Sequence, residues 1–486
     1  MPHKAKGSIV KNIFSIFIGQ FLNLFMSFWG ISIAARYLSL DAFGDFNYFV
    51  ALTMIISKAI DLGMGPVAFK ESSLSFPDYT ILNTAITIRT ILVAVIILPL
   101  GFVLFMTGHS LTQILLTVLL MFNNIVSAKF QNIRELLDIP LKVTHKMHIS
   151  SIGVFMDNLM FLILVYMMPL LNAGFTYFMM VYVLANIPGF VYVIAALKRS
   201  HNYTFRFSLI NAKPLIKRSV PLFGYVLAIT LYQQFDLLLL KLFKDAGAVG
   251  IYGAAIRIVQ PLFIIPSALV ATFFPVIVAE ASKKSEKTIV LVSVLFKVLF
   301  AIAVILFFMV GFKAEDIVVM LFGAKFTTGA LCIFLLLAAN IFMFINFLVV
   351  DLLTAYDKQK YAFYYVIVLM TVNGFISISL IPSLSYNGVA IAKVAAATIG
   401  FLFLASMKRY HGINLMFFDV ASLRWLAGVG LFHLSMFYFK APFLIYEGVS
   451  LLFLVYSLKL FKYFNPQERG LIYEYIPVIG KLRVLI

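Results

Sequence analysis

Long apolar runs recur along nearly the whole of this 486-residue chain, and they constrain its fold more than any other feature. A helix needs about 20 mostly apolar residues to cross the hydrocarbon core of a bilayer. Charged residues make up only 12% of the sequence, about half of their usual share in soluble domains. Because backbone polar groups within lipid must be satisfied inside the segment itself, such runs form helices. The sequence therefore predicts an all-α integral membrane protein.

Fourteen of these runs are long enough to be predicted as membrane spans. They are residues 12–35, 46–67, 82–107, 111–128, 149–171, 174–197, 218–240, 250–279, 289–312, 328–350, 361–381, 386–406, 420–439 and 443–461. Residues 108–110 alone divide the third span from the fourth, and the short stretch 172–174 divides the fifth from the sixth. These gaps predict tight hairpins between antiparallel helices.

The distribution of lysine and arginine predicts the orientation of the spans. Of the 38 lysines and arginines, 26 lie in loops and tails on one side of the predicted membrane, six lie on the other side and six lie within spans. Cytoplasmic loops carry the excess of positive charge in membrane proteins, so both termini are predicted to be cytoplasmic. The same cytoplasmic loops contain most of the residues that give the chain its net charge of +18. The charge is therefore explained by membrane topology, and nucleic acid is not an expected partner. The longest loop, residues 198–218, is basic and indicates an interfacial linker attracted to anionic lipid headgroups.

Two sequence matches in register indicate an internal duplication across this linker. Residues 42–46 open the second span much as residues 248–252 open the eighth, and Pro66–Ser73 matches Pro275–Ser282 near the far ends of the same spans. Six spans per copy is an even number, so the copies are predicted to be parallel repeats. The predicted regions are a six-helix lobe at 1–197, the linker at 198–218, a second six-helix lobe at 219–409, and a C-terminal helix pair with a cytoplasmic tail at 410–486.

Charged side chains inside the predicted spans narrow the possible functions. A lysine or arginine at the centre of a bilayer costs roughly 2.5–3.5 kcal/mol on insertion scales, so each must face a protein interior or a wet cavity. The embedded cations are Lys58, Arg89, Arg257, Lys297, Lys393 and Arg424, and the acids in comparable positions are Asp61, Asp157, Asp236 and Glu447. Because cations are in excess, the predicted cavity suits an anionic substrate.

A family resemblance rests on short motifs in both halves of the chain. They are Ala35-Arg36-Tyr37-Leu38, Phe43-Gly44, Asp61-Leu62-Gly63, Gln234-Phe235-Asp236 and the run from Val249 to Arg257. With these motifs the chain resembles, over nearly its whole length, the polysaccharide-transport branch of the multidrug/oligosaccharidyl-lipid/polysaccharide (MOP) exporter superfamily, and most closely bacterial O-antigen flippases. The resemblance implies two lobes around a central cavity that opens alternately to either side of the membrane.

The same resemblance implies a substrate, a location and partners. The substrate would be an undecaprenyl-pyrophosphate-linked oligosaccharide, such as an O-antigen or similar polysaccharide repeat unit. The location would be the bacterial cytoplasmic (inner) membrane. Membrane lipids, a polysaccharide polymerase and a chain-length regulator are the further partners that it suggests.

Lys58 and Asp61 lie three residues apart on the second predicted span and therefore share a helix face. In the functional interpretation, Lys58 meets the pyrophosphate and Asp61 holds or releases it as the lobes move. The alternative is a permanent buried ion pair between the two. The sequence Gly63-Met64-Gly65-Pro66 follows directly and predicts a helix break, a feature that lines cavities at membrane depth.

The remaining cations each allow two interpretations. The planar guanidinium of Arg257 suits bidentate phosphate binding, or the side chain snorkels to the outer interface. Arg89 and Lys297 occupy equivalent spans of the two lobes, where they line the cytoplasmic half of the cavity or snorkel inward. Lys393 lies among small residues that favour close helix packing, so a packed, paired lysine competes with a cavity role. Arg424 is interpreted as an interfacial anchor.

The buried acids suggest ion coupling or simple charge compensation. Asp157 and Asp236 could carry a proton or sodium ion in a coupled transport cycle, and the alternative is a counter-ion to a cavity cation. Glu447 is predicted to lie in the wet outer interface. No metal cluster, cofactor motif or phosphate-binding loop is present in the sequence, so we expect no cofactor and no ATP hydrolysis.

Three functions remain in competition at this point. The first is a lipid-linked oligosaccharide flippase, a transporter rather than an enzyme. The second is a drug or organic-cation antiporter of the same fold, which would need an acidic cavity. The third is a membrane polysaccharide polymerase or ligase, against which the lack of a large outer loop argues.

Overall fold

The computed structural model describes residues 22–201, 203–282, 286–411, 419–439 and 442–475. These residues are almost entirely helical, and the described part of the chain contains no strand. The predicted all-α membrane fold is therefore confirmed. The chain divides into two compact units, Met1–Gly250 and Ile251–Ile486. The predicted region boundaries stay a prediction, and the helix that follows the basic linker belongs to the first unit.

The first unit contains twelve helices within the described residues. They are α1 (residues 22–37), α2 (Leu40–Asp61), α3 (Met64–Ser75), α4 (Thr80–Met106), α5 (Leu111–Met121), α6 (Asn123–Val126), α7 (Ile133–Leu137), α8 (Ile139–Val143), α9 (Met147–Tyr166), α10 (Phe175–Leu184), α11 (Ile187–His201) and α12 (Leu209–Phe243). Helix α13 (Ala246–Val259) leads into the second unit.

The second unit consists of longer helices. They are α14 (Ile264–Ser282), α15 (Glu286–Leu306), α16 (Ala314–Phe322), α17 (Ala330–Ala355), α18 (Gln359–His411), α19 (Val420–Tyr438), α20 (Phe443–Leu460) and α21 (Pro466–Tyr475). Short 3-10 turns at Gln260–Phe263 and Ala324–Gly329 and a π-helical turn at Phe307–Gly311 join some of them.

Ten helices of the described chain are long and apolar enough to cross a membrane, or eleven if the bent pair α2 and α3 forms one span. The prediction of fourteen differs from this count for three further reasons. The first predicted span begins outside the described residues, the fourth corresponds to a shorter apolar helix at Leu111–Val126, and the eleventh and twelfth both fall within α18, which is counted once.

Helix α18 reverses direction within its length. Ser385 has a non-helical backbone conformation with a φ of 52°. A Cβ placed on Gly400 would lie 2.7 Å from the side chains of both Tyr365 and Leu369, so the segments before and after Ser385 pack against each other. Two predicted spans thus form an antiparallel hairpin around Ser385.

The predicted break after Asp61 is present in the structure. Leu62 and Gly63 both adopt left-handed conformations, and α3 bends away from α2 by 44°. A Cβ on Gly63 would lie 2.7 Å from backbone atoms of Ser219 and Phe223 on α12, so only glycine allows this approach. The break is therefore fixed by packing of the α2–α3 junction on α12.

Two further interruptions lie in the first unit. Asn186 separates α10 from α11 and is buried. Residues 122–146, which the hydropathy pattern places mainly in a cytoplasmic loop, fold into the three short helices α6 to α8, whose polar residues Asn123, Asn124 and Arg134 are fully buried. Irregular backbone at membrane depth is tolerated where protein surrounds it or where it lines a cavity.

Candidate functional site

A buried ion pair joins the end of α2 to the middle of α4. Arg89 is fully buried on α4, and its guanidinium donates to the carboxylate of Asp61, the last residue of α2. A second guanidinium nitrogen of Arg89 donates to the backbone carbonyl of Asn132 at 2.8 Å. The sequence offered Lys58 as the partner of Asp61, whereas the structure pairs Asp61 with Arg89. This pair lies at the point where α2 breaks.

The side chain of Asn132 fastens the segment before α7 onto α2. Its amide donates to the Ser57 carbonyl at 3.1 Å and to Oδ1 of Asn124 at 3.0 Å. Ser57 in turn donates to the Phe130 carbonyl at 3.4 Å. Buried polar groups are costly unless they are hydrogen-bonded, so these bonds hold the irregular backbone in one arrangement.

Lys58 lies beside this pair but is held only by neutral groups. Its ammonium donates to the carbonyl of Gln131 at 3.1 Å and to Oε1 of the same residue at 3.4 Å. Within the described residues Lys58 forms no ion pair with a carboxylate, and its side chain is half-buried. Glu135, also half-buried, acts on Lys58 and Arg89 through its charge.

Gly65 lies directly beside these charges. A Cβ on Gly65 would lie 3.5 Å from Nη2 of Arg89, 3.8 Å from Oδ1 of Asp61 and 3.9 Å from Oε2 of Glu135. The first turn of α3 therefore comes close to all three groups without contacting them through a side chain. We call Lys58, Asp61, Arg89, Gln131 and Glu135 the α2–α4 charge cluster.

A second buried pair stabilises the other side of the first unit. Arg134 on α7 donates to the carboxylate of Asp157 on α9, and both side chains are buried. Arg134 also donates to the carbonyl of Val126 at 2.9 Å, and Asp157 accepts from the backbone N–H of Gly189 at 2.9 Å. This arrangement is that of a counter-ion, and ion coupling by Asp157 stays a prediction.

Arg134 is a residue that the sequence reasoning missed, because the charge count placed it in a cytoplasmic loop. A signal was present: Arg134 stands among apolar residues that the structure buries, namely Ile133, Leu136, Leu137 and Ile139. An arginine in an apolar stretch that is too short for a span is expected to be drawn into the interior by its neighbours.

Lys297 lies in a separate cluster of the second unit. Its ammonium donates to Asp419 at 2.6 Å, to Glu468 at 2.8 Å and to the carbonyl of Tyr463 at 3.2 Å. Burial alone would raise the pKa of the Asp419 carboxyl, but the hydrogen bonds from Lys297 and Ser422 hold this pKa below its usual value. Lys297 thus connects α15 to the start of α19 and to α21. Like Arg89 in the first unit, it is a buried cation that donates to a carboxylate.

The structure places the other predicted residues as follows. Asp236 is fully buried on α12, Arg257 on α13 and Lys393 on α18 are half-buried, and Glu447 on α20 is half-buried. Arg424 is exposed in the second turn of α19, as expected of an interfacial anchor. The structure therefore brings Lys58, Asp61 and Arg89 together, and the convergence of Arg257 and Lys393 on the same substrate stays a prediction.

Metal binding has no support in the described part of the chain, where no three histidine, cysteine, aspartate or glutamate side chains come together in a way that could hold an ion. The chemistry available in the α2–α4 charge cluster is therefore electrostatic and hydrogen-bonding. It offers one half-buried ammonium held by neutral groups, one fixed ion pair and one half-buried carboxylate.

Comparisons with known proteins point in one direction. The family model described as polysaccharide biosynthesis protein matches residues 9–280. The solved structure of the lipid II flippase MurJ in an inward closed conformation matches with a TM-score of 0.74 and 15% sequence identity, over 91% of this chain and 98% of that chain. No curated protein matches the sequence significantly.

Two more distant structures share the fold. An inward-facing multidrug resistance transporter of the MATE family and the MOP superfamily matches with a TM-score of 0.62 and 14% identity, over 80% of this chain and 96% of that chain. A MOP superfamily transporter from Pyrococcus furiosus, described as having a binding pocket of reverse polarity, matches with a TM-score of 0.53 and 13% identity, over 79% and 94%. At these identities the structures establish a common fold.

Proposed function

Because this chain belongs to the polysaccharide biosynthesis protein family and has the fold of MOP superfamily transporters, we propose that it is a flippase for an undecaprenyl-pyrophosphate-linked oligosaccharide. The resemblance to the polysaccharide-transport branch is confirmed by the family match. O-antigen as the saccharide, the inner membrane as the location and the polymerase and chain-length regulator as partners remain parts of the proposal.

The observation that carries the proposal is the state of Lys58. Its ammonium is half-buried in a membrane-spanning unit, yet only neutral oxygens of Gln131 accept its hydrogen bonds. A diphosphate cannot enter hydrocarbon without compensation of its charge. An ammonium that no carboxylate occupies is ready to give that compensation, whereas the neighbouring Arg89 is already engaged by Asp61.

Glu135 provides the release step in this proposal. It lies close enough to attract the Lys58 ammonium electrostatically, without forming an ion pair. When the diphosphate leaves, Glu135 compensates the charge of Lys58 and so lowers the cost of the empty state. The role that the sequence assigned to Asp61 therefore passes to Glu135, since Asp61 is held by Arg89.

An organic-cation antiporter of the same fold is less well supported. Such a substrate needs a carboxylate that is not already neutralised. Two of the buried aspartates in the first unit, Asp61 and Asp157, each accept from an arginine, and each pair is buried. These carboxylates could bind a cation only after a buried arginine lost its partner, at a cost of about 3–5 kcal/mol.

The test uses Lys58 and a matched lysine on the next helix. Lys58→Ala should abolish most export of polysaccharide in a flippase-null strain, and Lys58→Arg should retain part of it because the charge remains. Lys70 is exposed on α3, so Lys70→Ala should export normally. Surface polysaccharide is measured relative to the amount of protein in the membrane.

Full export by Lys58→Ala would contradict the proposed headgroup contact. A second measurement separates binding from turnover: purified protein should bind undecaprenyl pyrophosphate, and inorganic pyrophosphate should compete for it. Competition by pyrophosphate that is equally strong in Lys58→Ala would place the anion elsewhere in the molecule.

A further inference from the structure

A cavity with polar and apolar walls lies in the first unit, ten residues along α2 from Lys58 of the charge cluster. Its volume is about 530 Å³, within the range of roughly 300–1,000 Å³ that is typical of small-molecule sites. Its walls are Tyr48 on α2, the α4–α5 hairpin from Thr107 to Gln113, and the end of α12 from Phe235 to Leu242. The cavity is thus built from three separate parts of the chain.

The hairpin wall is held in a defined conformation. Ser110 caps α5, and its hydroxyl and the Gln113 side chain satisfy each other's backbone amides. The ring of His109 stacks on that of Tyr48, with centroids 5.9 Å apart and planes inclined by 4°. The Thr107 hydroxyl lies 3.0 Å from Nδ1 of His109. The aromatic wall is therefore formed before any ligand arrives.

Asp45, which contacts two residues of the cavity wall, compensates the charge of Lys241. Lys241 donates to Asp45 at 2.8 Å, and Gln113 donates to the other oxygen of Asp45 at 3.2 Å. An anion would compete with Asp45 for Lys241, and a cation would compete with Lys241 for Asp45. A neutral ligand that carries both donors and acceptors meets neither obstacle.

Several polar groups at the wall have hydrogen-bonding capacity to spare. Within the described residues, neither the Tyr48 hydroxyl nor Nε2 of His109 bonds to another protein group, and the Lys241 ammonium has three donors. Beside them lie the apolar side chains of Phe235 and Leu238. A sugar ring has this same division, with hydroxyl groups around its edge and C–H bonds on its faces.

We propose that this cavity binds a neutral sugar residue. The inference rests on the proposed function, because the sugar would belong to the oligosaccharide that the flippase carries. The α4–α5 hairpin is predicted to lie on the side of the membrane opposite the termini, so the cavity would hold the saccharide after it has crossed. The Tyr48 and His109 rings form the platform, and Gln113 and Lys241 bond the hydroxyl groups.

The experiment measures binding of free sugars to the full chain in nanodiscs by saturation-transfer difference NMR. The probes are glucose, galactose, N-acetylglucosamine and glucuronate. We expect a signal from at least one neutral sugar and at least a fivefold smaller signal from glucuronate, whose carboxylate would have to compete with Asp45 for Lys241. Tyr48→Leu and His109→Leu should each reduce the neutral signal at least fivefold.

Matched controls keep this test independent of folding and of the headgroup proposal. Tyr166 is an exposed tyrosine at the end of α9, and Tyr166→Leu should leave the signal unchanged. Tyr48→Phe keeps the ring and should lose only part of the signal. Lys58→Ala should bind free sugar normally. Failure of the headgroup test would therefore not contradict the sugar site, and failure of the sugar test would not contradict the headgroup contact.

Three results would overturn the assignment. One is that no neutral sugar gives a signal. Another is a signal that persists in both leucine variants. The third is that phospholipid bound to the purified protein is lost in these variants while sugars never displace it, which would identify the cavity as a lipid site.

Discussion

The three buried cations in the described residues, Arg89, Arg134 and Lys297, each donate to at least one carboxylate. A buried ion pair adds little net stability over apolar packing, but removal of one partner leaves an unpaired charge. These three residues therefore differ from Lys58, whose ammonium donates only to neutral oxygens of Gln131 and which we propose as the headgroup contact. The hydrogen-bond partner of each cation therefore separates those that hold the fold together from the one that we propose for binding.

Arg89→Gln should destabilise the protein by about 3–5 kcal/mol, because Asp61 is left charged and buried. The double variant Asp61→Asn with Arg89→Gln should recover part of this loss. The control is Arg218→Gln: its pair with Glu71 is at the surface, where the arginine side chain is 61% exposed, so the change should cost at most about 1 kcal/mol. Unfolding in detergent measures all three, and an equal loss in the single and double variants would contradict a charge-based role.

The sequence indicated that Lys58 and Asp61 lie close together, but it did not indicate which cation pairs with Asp61. Lys58 and Asp61 are visible as neighbours because three residues on a helix share a face. The true partner of Asp61 is 28 residues away on another helix, and no spacing rule reveals it. Arg134 was assigned to a loop because hydropathy measures average polarity, whereas burial depends on packing with distant helices.

Interrupted helices are the feature that links the elements of the first unit. The α2–α3 junction, Asn186 and the segment 122–146 all lie between helical segments and carry buried polar side chains. The Gly63–Pro66 motif allowed the first break to be predicted, since glycine and proline are direct signals. The other two lack such signals, because Asn186 and Asn132 act through hydrogen bonds that form only in the folded chain.

Gly63→Ala should destabilise the first unit, since the residue has a φ of 71° and a Cβ would meet the α12 backbone. We expect a loss above about 1–3 kcal/mol, the usual cost of backbone strain alone. Gly174→Ala is the control, because its φ is −91° and a Cβ there meets no atom within 4 Å. Thermal unfolding compares the two, and equal stability would show that the junction can move away from α12.

The C-terminal helices are bound to α15 more closely than an added pair would require. Deletion from Asp419 to the end removes both carboxylates that accept from Lys297, so we expect little protein in the membrane. Adding Lys297→Met to the deletion should restore the amount of protein, because the unpaired charge is gone. If α19 and α20 guide the polyprenyl tail, this restored protein should still export poorly. Normal export would exclude that role.

At the scale of the whole molecule, the sequence predicted the helical class and most of the spans, because both follow from apolar length and composition. The predicted gap between the eleventh and twelfth spans, residues 382–385, coincides with the reversal at Ser385. The sequence could not give the number of spans, since the fourth apolar run forms only a shorter helix at Leu111–Val126. The excess of embedded cations predicts an anionic substrate, and this stays a prediction. Ion pairs between residues that are 23 to 171 positions apart decide which of the described buried charges have no carboxylate or arginine partner.

The orientation of the whole chain is tested by labelling at the basic linker. Ser208 is half-buried and its backbone contacts Thr84, whereas Thr204 is exposed, so Thr204 is the better labelling position. In a Cys332→Ser background, Thr204→Cys should resist an impermeant thiol reagent in intact cells and react after the membrane is opened. Labelling in intact cells would reverse the orientation that the 26 to 6 distribution of lysine and arginine predicts.

The contacts of Lys297 also set an order of events during synthesis. The partners of Arg89 and Arg134 lie 28 and 23 residues away, so each pair is complete soon after its helices leave the ribosome. Asp419 follows Lys297 by 122 residues and Glu468 follows it by 171. At roughly 5–20 residues per second, α15 must wait about 6–24 s for its first counter-charge. The Lys297 contacts of the second unit therefore cannot be complete until Glu468 is made, and α15 carries a lysine without these counter-charges in the meantime.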